Sequence, residues 1–90
     1  HAYPNGNFSL TDMNIQGNLP NGITVSIFLG SFAYCTPCTD NANYTTIELA
    51  FLDGTKFVYG SDYDDVHGYV PISDAFALIT DIASKDTSNV

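Results

Sequence analysis

Along most of the chain, apolar and polar residues alternate with the period of two that a pleated strand requires, since successive side chains point to opposite faces. Residues 7–15 place Phe8, Leu10, Met13 and Ile15 at the apolar positions, which predicts a strand with a bulge near Asp12. Gly17-Asn18-Leu19-Pro20-Asn21-Gly22 is a turn cluster, and Asn21-Gly22 within it is a favoured hairpin pair. Residues 23–34 carry the clearest strand pattern: Ile23, Val25, Ile27 and Leu29 share one face, and Thr24, Ser26 and Phe28 share the other. Gly30 inside this run marks a bulge or a bend. A polar loop over 35–43 leads to a strand over 44–52. Asp53-Gly54 then closes a hairpin with residues 55–60. Residues 61–68 are an acidic loop, and residues 69–72 form a short strand.

After residue 72 the period changes. Ser73, Asp74, Ala77, Thr80, Asp81 and Ser84 take the polar or small positions at helical spacing, facing a stripe of Ile72, Ala75, Phe76, Ile79, Ile82 and Ala83. Ser73 suits the N-cap, Asp74 the positive end of the helix dipole and Lys85 the negative end. An extended reading aligns Phe76, Leu78, Thr80 and Ile82 instead. With residues 1–6 as a loose entry segment and 86–90 as a polar tail, residues 1–90 form a single domain. The expected fold is α+β and mostly β: an antiparallel sheet of four to five strands with one C-terminal helix on one face. If 73–84 is extended, the fold becomes a six-stranded β sandwich or barrel.

The composition supports one core, with 44% apolar and 13% aromatic residues. Charge narrows the partners further. Ten Asp and Glu stand against Lys56 and Lys85, with no Arg, for a net charge of −8. Such a chain repels phosphate backbones and anionic lipid, which argues against nucleic acid and membrane partners. Cations, basic protein surfaces and neutral carbohydrate remain; the same charge also simply keeps a small protein in solution. No apolar stretch reaches the length of a membrane span. Three signs point to secretion: a start at His1 rather than Met, acceptor patterns for N-glycosylation at Asn7-Phe8-Ser9 and Asn43-Tyr44-Thr45, and an even cysteine count.

Four constellations could carry chemistry. Cys35-Thr36-Pro37-Cys38 is a C-x-x-C, which serves as a redox dithiol, half of a metal site or a structural disulfide. The expectation is a Cys35–Cys38 disulfide closing a short loop, contributing roughly 2 kcal/mol at best. Asp62, Asp64, Asp65 and His67 share the acidic loop, and closely spaced carboxylates on a loop can bind Ca²⁺ through oxygen. That loop lacks the glycine and the distal glutamate of an EF-hand. The only two histidines, His1 and His67, could hold copper, as an N-terminal His offers both its amine and its ring. Six tyrosines and no Trp favour contact surfaces, because tyrosine brings large area at low entropy cost; equally, tyrosine is a good strand residue. Tyr59, Tyr63 and Tyr69 bracket the acidic loop and form a candidate patch with it. No G-x-S-x-G elbow or Ser-His-Asp arrangement is present.

The strand running from Val25 to Tyr34 into Cys35-Thr36-Pro37-Cys38, with Gly68-Tyr69-Val70-Pro71 downstream, resembles the thioredoxin-like family. That resemblance implies Cys35 as attacking thiol, Cys38 as resolving thiol and Pro71 as the proline facing them. The chain departs from the family after Cys38, where Thr39 to Ile47 favour loop and strand over the helix that would lower the first thiol's pKa. In type, the chain also resembles the small secreted effectors and toxins of fungi, some of which, such as the MAX effectors, are six-stranded β sandwiches with one disulfide. Their two cysteines lie far apart in sequence, whereas Cys35 and Cys38 are three apart. The leading reading is a small secreted, non-enzymatic recognition protein, effector- or toxin-like, that contacts a protein or carbohydrate target through its surface. A thioredoxin-like dithiol oxidoreductase and a Ca²⁺-binding β domain are the alternatives.

Overall fold

The computed structural model describes residues 7–11 and 13–86, with side chains from Met13 onward. The entry segment 1–6 with His1, the expected bulge position at Asp12, and most of the tail lie outside the described residues. The elements in chain order are β1 (Asn7–Thr11), β2 (Asn14–Asn18), β3 (Thr24–Phe28), β4 (Thr46–Asp53), β5 (Lys56–Val58), β6 (His67–Pro71) and α1 (Ile72–Ala83). The strands run β1-β2-β3-β4-β5 across an antiparallel sheet, and β6 also pairs with β4. β5 pairs with Phe51–Asp53, and β6 pairs with β4 from Thr46 to Leu49, so the two share one edge of β4. The sheet is thus five strands wide and carries one C-terminal helix, the expected mostly-β α+β architecture. The helical period over 73–84 prevails over the extended alternative, and the six-stranded sandwich does not form.

Several boundaries differ from expectation; β4 begins at Thr46 rather than at 44, and β6 begins at His67, inside the loop expected over 61–68. The run 7–15 is not one bulged strand but the hairpin β1–β2, with Thr11 opposite Asn14. The apolar alternation slips by one residue between Leu10 and Met13, which suits a two-residue turn as well as a bulge. β2 then continues through Gly17 and Asn18, residues expected in the turn. The strand expected to reach residue 34 ends at Phe28. Gly30 takes φ 112, a conformation closed to most side chains, and Ala33 N donates to Gly30 O at 3.1 Å, turning the chain away from the sheet. The other hairpin is as expected: Asp53 pairs with Lys56, and Gly54 at φ 64 supplies the positive φ such a short connection needs.

The core lies between the sheet and α1. Val25 from β3, Ile47, Leu49 and Phe51 from β4, and Val58 from β5 meet Ala75, Ile79 and Ile82 from the helix, with Leu19 and Ile23 closing one end. The helix stripe is narrower than its sequence pattern, since Phe76 and Ile72 are exposed. Ser73 does not cap the helix. Pro71 occupies the N-cap at φ −55 with no side-chain bond, and Ile72 N donates to Thr45 O at 3.3 Å. Proline fits there because its ring presets φ and it has no N–H to leave orphaned. Lys85 lies beyond the last turn and reaches back to Asp81 at 3.9 Å. The helix C-terminus is held by Asn21 instead, whose Nδ2 donates to Ile82 O at 2.7 Å and to Lys85 O at 3.2 Å. The turn between β2 and β3 therefore ties the helix to the sheet. Among the described residues, no helix is long and apolar enough to cross a membrane.

Candidate recognition surface

The antiparallel pairing of β4 and β6 is interrupted by a β-bulge. His67 pairs with Leu49 and Val70 with Ile47, so Gly68 and Tyr69 together face the single residue Glu48. Tyr69 adopts φ 54, a left-handed conformation that costs a residue with a Cβ about 1–2 kcal/mol. Its ring is nevertheless 57% exposed, so burial of the side chain does not offset that strain.

The loop from β3 to β4 brings Tyr34 to the same place. Tyr69 N donates to Tyr34 O at 2.9 Å, and Tyr34 N donates to the Glu48 carboxylate at 2.9 Å. The Tyr34 and Tyr69 rings lie 6.0 Å apart, tilted by 39°. Rings at this separation attract one another beyond the area they cover. Thr36 anchors the same loop to the start of β4, accepting from Thr45 N at 2.8 Å.

The acidic loop supplies the third wall. Ser61 Oγ accepts from Asp64 N at 3.1 Å and donates to Asp64 O at 3.2 Å, which folds the segment back on itself. A side chain at Gly60 would have no room, because its Cβ would meet Asp64 O at 2.7 Å. This tight loop carries Tyr63 at its tip, 98% exposed. Tyr34, Tyr63 and Tyr69, with Ser61, Asp64 and Val66, surround an open concavity of about 410 Å³.

His67 lines the same concavity but already has partners. Its Nε2 lies 2.7 Å from Tyr59 O; a carbonyl only accepts, so this nitrogen carries the proton. The ring packs edge-on to Phe51, with centroids 6.0 Å apart. His67 thus braces the acidic loop against the core.

Of the residues proposed from sequence, the structure brings Tyr63, Asp64, His67 and Tyr69 together. Asp62 and Asp65 are exposed in the same loop without lining the concavity. Tyr59 is not part of it: its half-buried ring packs on the core, with Lys85 Nζ 5.8 Å from the ring centre. Tyr34 and Glu48 also belong to this site, and only the pairing of segments distant in sequence brings them there. Among the described residues, no three His, Cys, Asp or Glu side chains group where they could share a metal ion. The Asp64 carboxylate accepts from Asp65 N at 2.7 Å.

The expected Cys35–Cys38 disulfide is not formed in this structure; both residues are free thiols. Cys35 is buried, with Sγ bonded to Gly30 O at 3.3 Å and Pro37 O at 3.4 Å. Cys38 is exposed, with Sγ on Ser31 O at 3.3 Å. The pair lies in the loop between β3 and β4, and no helix begins at Cys38, where the chain continues as loop to Thr45. The helix implied by the thioredoxin-like resemblance is therefore absent from the fold. Asn43 is exposed in this loop, and Asn7 opens β1.

A second, smaller groove, of about 330 Å³, lies on the sheet face opposite the helix. Asn14, Gln16, Ser26, Phe28, Glu48, Leu52 and Phe57 are among the residues that line it. Compared with protein-family models, curated protein sequences and solved structures, the chain matches none.

Proposed function

We propose that the chain is a secreted, non-enzymatic recognition protein, effector- or toxin-like, that binds a protein or carbohydrate target through the surface around Tyr34, Tyr63 and Tyr69. One observation carries this reading: three tyrosines stand in solvent around one concavity, and Tyr69 is held there at φ 54. Strain kept at an exposed aromatic residue is expected where a surface is organised for contact. Tyrosine suits that work because it presents large area and a hydroxyl while losing little rotamer freedom. The net charge of −8 disfavours nucleic acid and anionic lipid as targets. Secretion is supported by the two glycosylation patterns and by the exposure of Asn43. Expression through a eukaryotic secretory route, followed by mass spectrometry, should find glycan on Asn43.

The reading is tested by saturation binding of fluorescently labelled protein to intact cells and to insoluble polysaccharide. Wild type should bind one of these saturably. The Tyr34→Ser/Tyr69→Ser double variant should lose that binding with its fold intact by circular dichroism. Phe57→Ser, which alters an exposed aromatic residue in the other groove, should retain it. Equal binding by wild type and the tyrosine variant would place recognition elsewhere on the molecule.

A further inference from the structure

We propose that the tyrosine-lined concavity accepts a cationic side chain, arginine or lysine, presented by a basic segment of a partner protein; this rests on the reading of that surface as the recognition site. Three of the lining residues are tyrosines, and the face of a tyrosine ring, whose quadrupole is negative, attracts an approaching cation. The ionisable groups that line the concavity are Asp64, His67 and the tyrosines themselves, and none is a lysine or arginine. The chain's two lysines lie outside it: Lys56 is on β5, and Lys85 sits by Asp81 and over Tyr59. Lys85 over Tyr59 is the same interaction made within the chain, at 5.8 Å from the ring centre.

Charge complementarity decides the kind of partner. Asp62 and Asp65 flank Asp64 in the loop that forms one wall, and all three are exposed. The net charge of −8 favours positive partners and repels negative ones, and these three carboxylates add to that preference beside the concavity. A neutral sugar gains nothing from that field. The side-chain amides that would read sugar hydroxyls, Asn14 and Gln16, line the other groove. The frame is also set before binding. The Tyr34 backbone is bonded on both sides, to Glu48 and to Tyr69, so little ordering remains to be done when a partner arrives.

The test titrates the protein with a fluorescein-labelled peptide of alternating arginine and glycine, read by anisotropy. Parallel arms use the same peptide with citrulline for arginine, and a neutral cello- or chito-oligosaccharide followed by NMR of the tyrosine rings. The arginine peptide should bind and the citrulline peptide should not. Tyr34→Leu and Tyr69→Leu should each weaken binding about threefold or more. Tyr69→Phe, which keeps the ring, should stay near wild type. Asp64→Asn should weaken binding more than Asp81→Asn, a carboxylate on the helix.

Equal affinity for the citrulline peptide, unchanged binding by the leucine variants, or equal effects of Asp64→Asn and Asp81→Asn would each overturn the assignment. If the oligosaccharide alone moves the Tyr34 and Tyr69 signals, the cation assignment falls and the recognition surface stands. If neither probe engages the tyrosines, the cation assignment falls, and the cell-binding comparison judges the surface independently.

Discussion

A Cβ built on Gly68 would stand 3.0 Å from the Cβ of Tyr34, so the absence of a side chain at 68 is what lets Tyr34 lie against the bulge of β6. Gly68→Ala should move Tyr34 rather than unfold the protein. Alanine is favoured over glycine in a strand by roughly 0.5–1 kcal/mol, which offsets part of the crowding. We expect stability within about 1 kcal/mol of wild type and loss of the ring-to-ring nuclear Overhauser effects between Tyr34 and Tyr69. Unchanged ring contacts would show that Gly68 does not set the position of Tyr34.

The left-handed backbone at Tyr69 makes a second prediction that side-chain loss alone does not. Both Tyr69→Ala and Tyr69→Gly remove the ring, but only glycine relieves the strain at φ 54. Tyr69→Gly should therefore be more stable than Tyr69→Ala by about 1 kcal/mol in urea unfolding, the reverse of the usual order in a strand. Alanine equal to or better than glycine would mean that residue 69 is not held left-handed.

Asn21 joins the turn between β2 and β3 to the end of the helix through Ile82 O and Lys85 O. Replacing it with alanine leaves these carbonyls to water and also removes the acceptor for Ile23 N. Asn21→Ala should cost about 1–2 kcal/mol. Amide exchange should quicken first in the last turn of the helix, before the strands are affected.

The two thiols differ in exposure, and reactivity should follow. In protein purified under reducing conditions, a maleimide should label Cys38 quickly and Cys35 only as fast as the fold opens, because Cys35 is 1% exposed. Mass spectrometry of the partly labelled protein distinguishes the two sites. Equal rates would show that the loop from β3 to β4 does not shelter Cys35.

The sheet and the helix were legible because each follows a period that a core imposes. Val25, Ile47, Leu49 and Phe51 alternate as a one-sided strand face must, and Ala75, Ile79 and Ile82 recur as a helix face must. The turn at Asn21-Gly22 was legible too, but the bond from Asn21 to the helix was not, since it joins residues far apart in sequence. The same limit applied to the site. Tyr63, Asp64, His67 and Tyr69 are close in sequence and could be grouped from it, whereas Tyr34 enters only because β6 bulges at Gly68 and Tyr69 opposite Glu48. Tyr59 sits near them in sequence, but at φ 53 its backbone turns and the ring packs on the core. Nothing in the spacing of Cys35 and Cys38 distinguishes free thiols from a disulfide.

The most direct test of the account is tyrosine nitration with tetranitromethane, mapped by mass spectrometry on free protein and on protein bound to the cell or polysaccharide surface that retains it. The account predicts that Tyr63, Tyr69 and Tyr34 react in free protein and are protected together in the bound state. Continued nitration of all three in bound protein would contradict it and place the recognition surface away from the concavity.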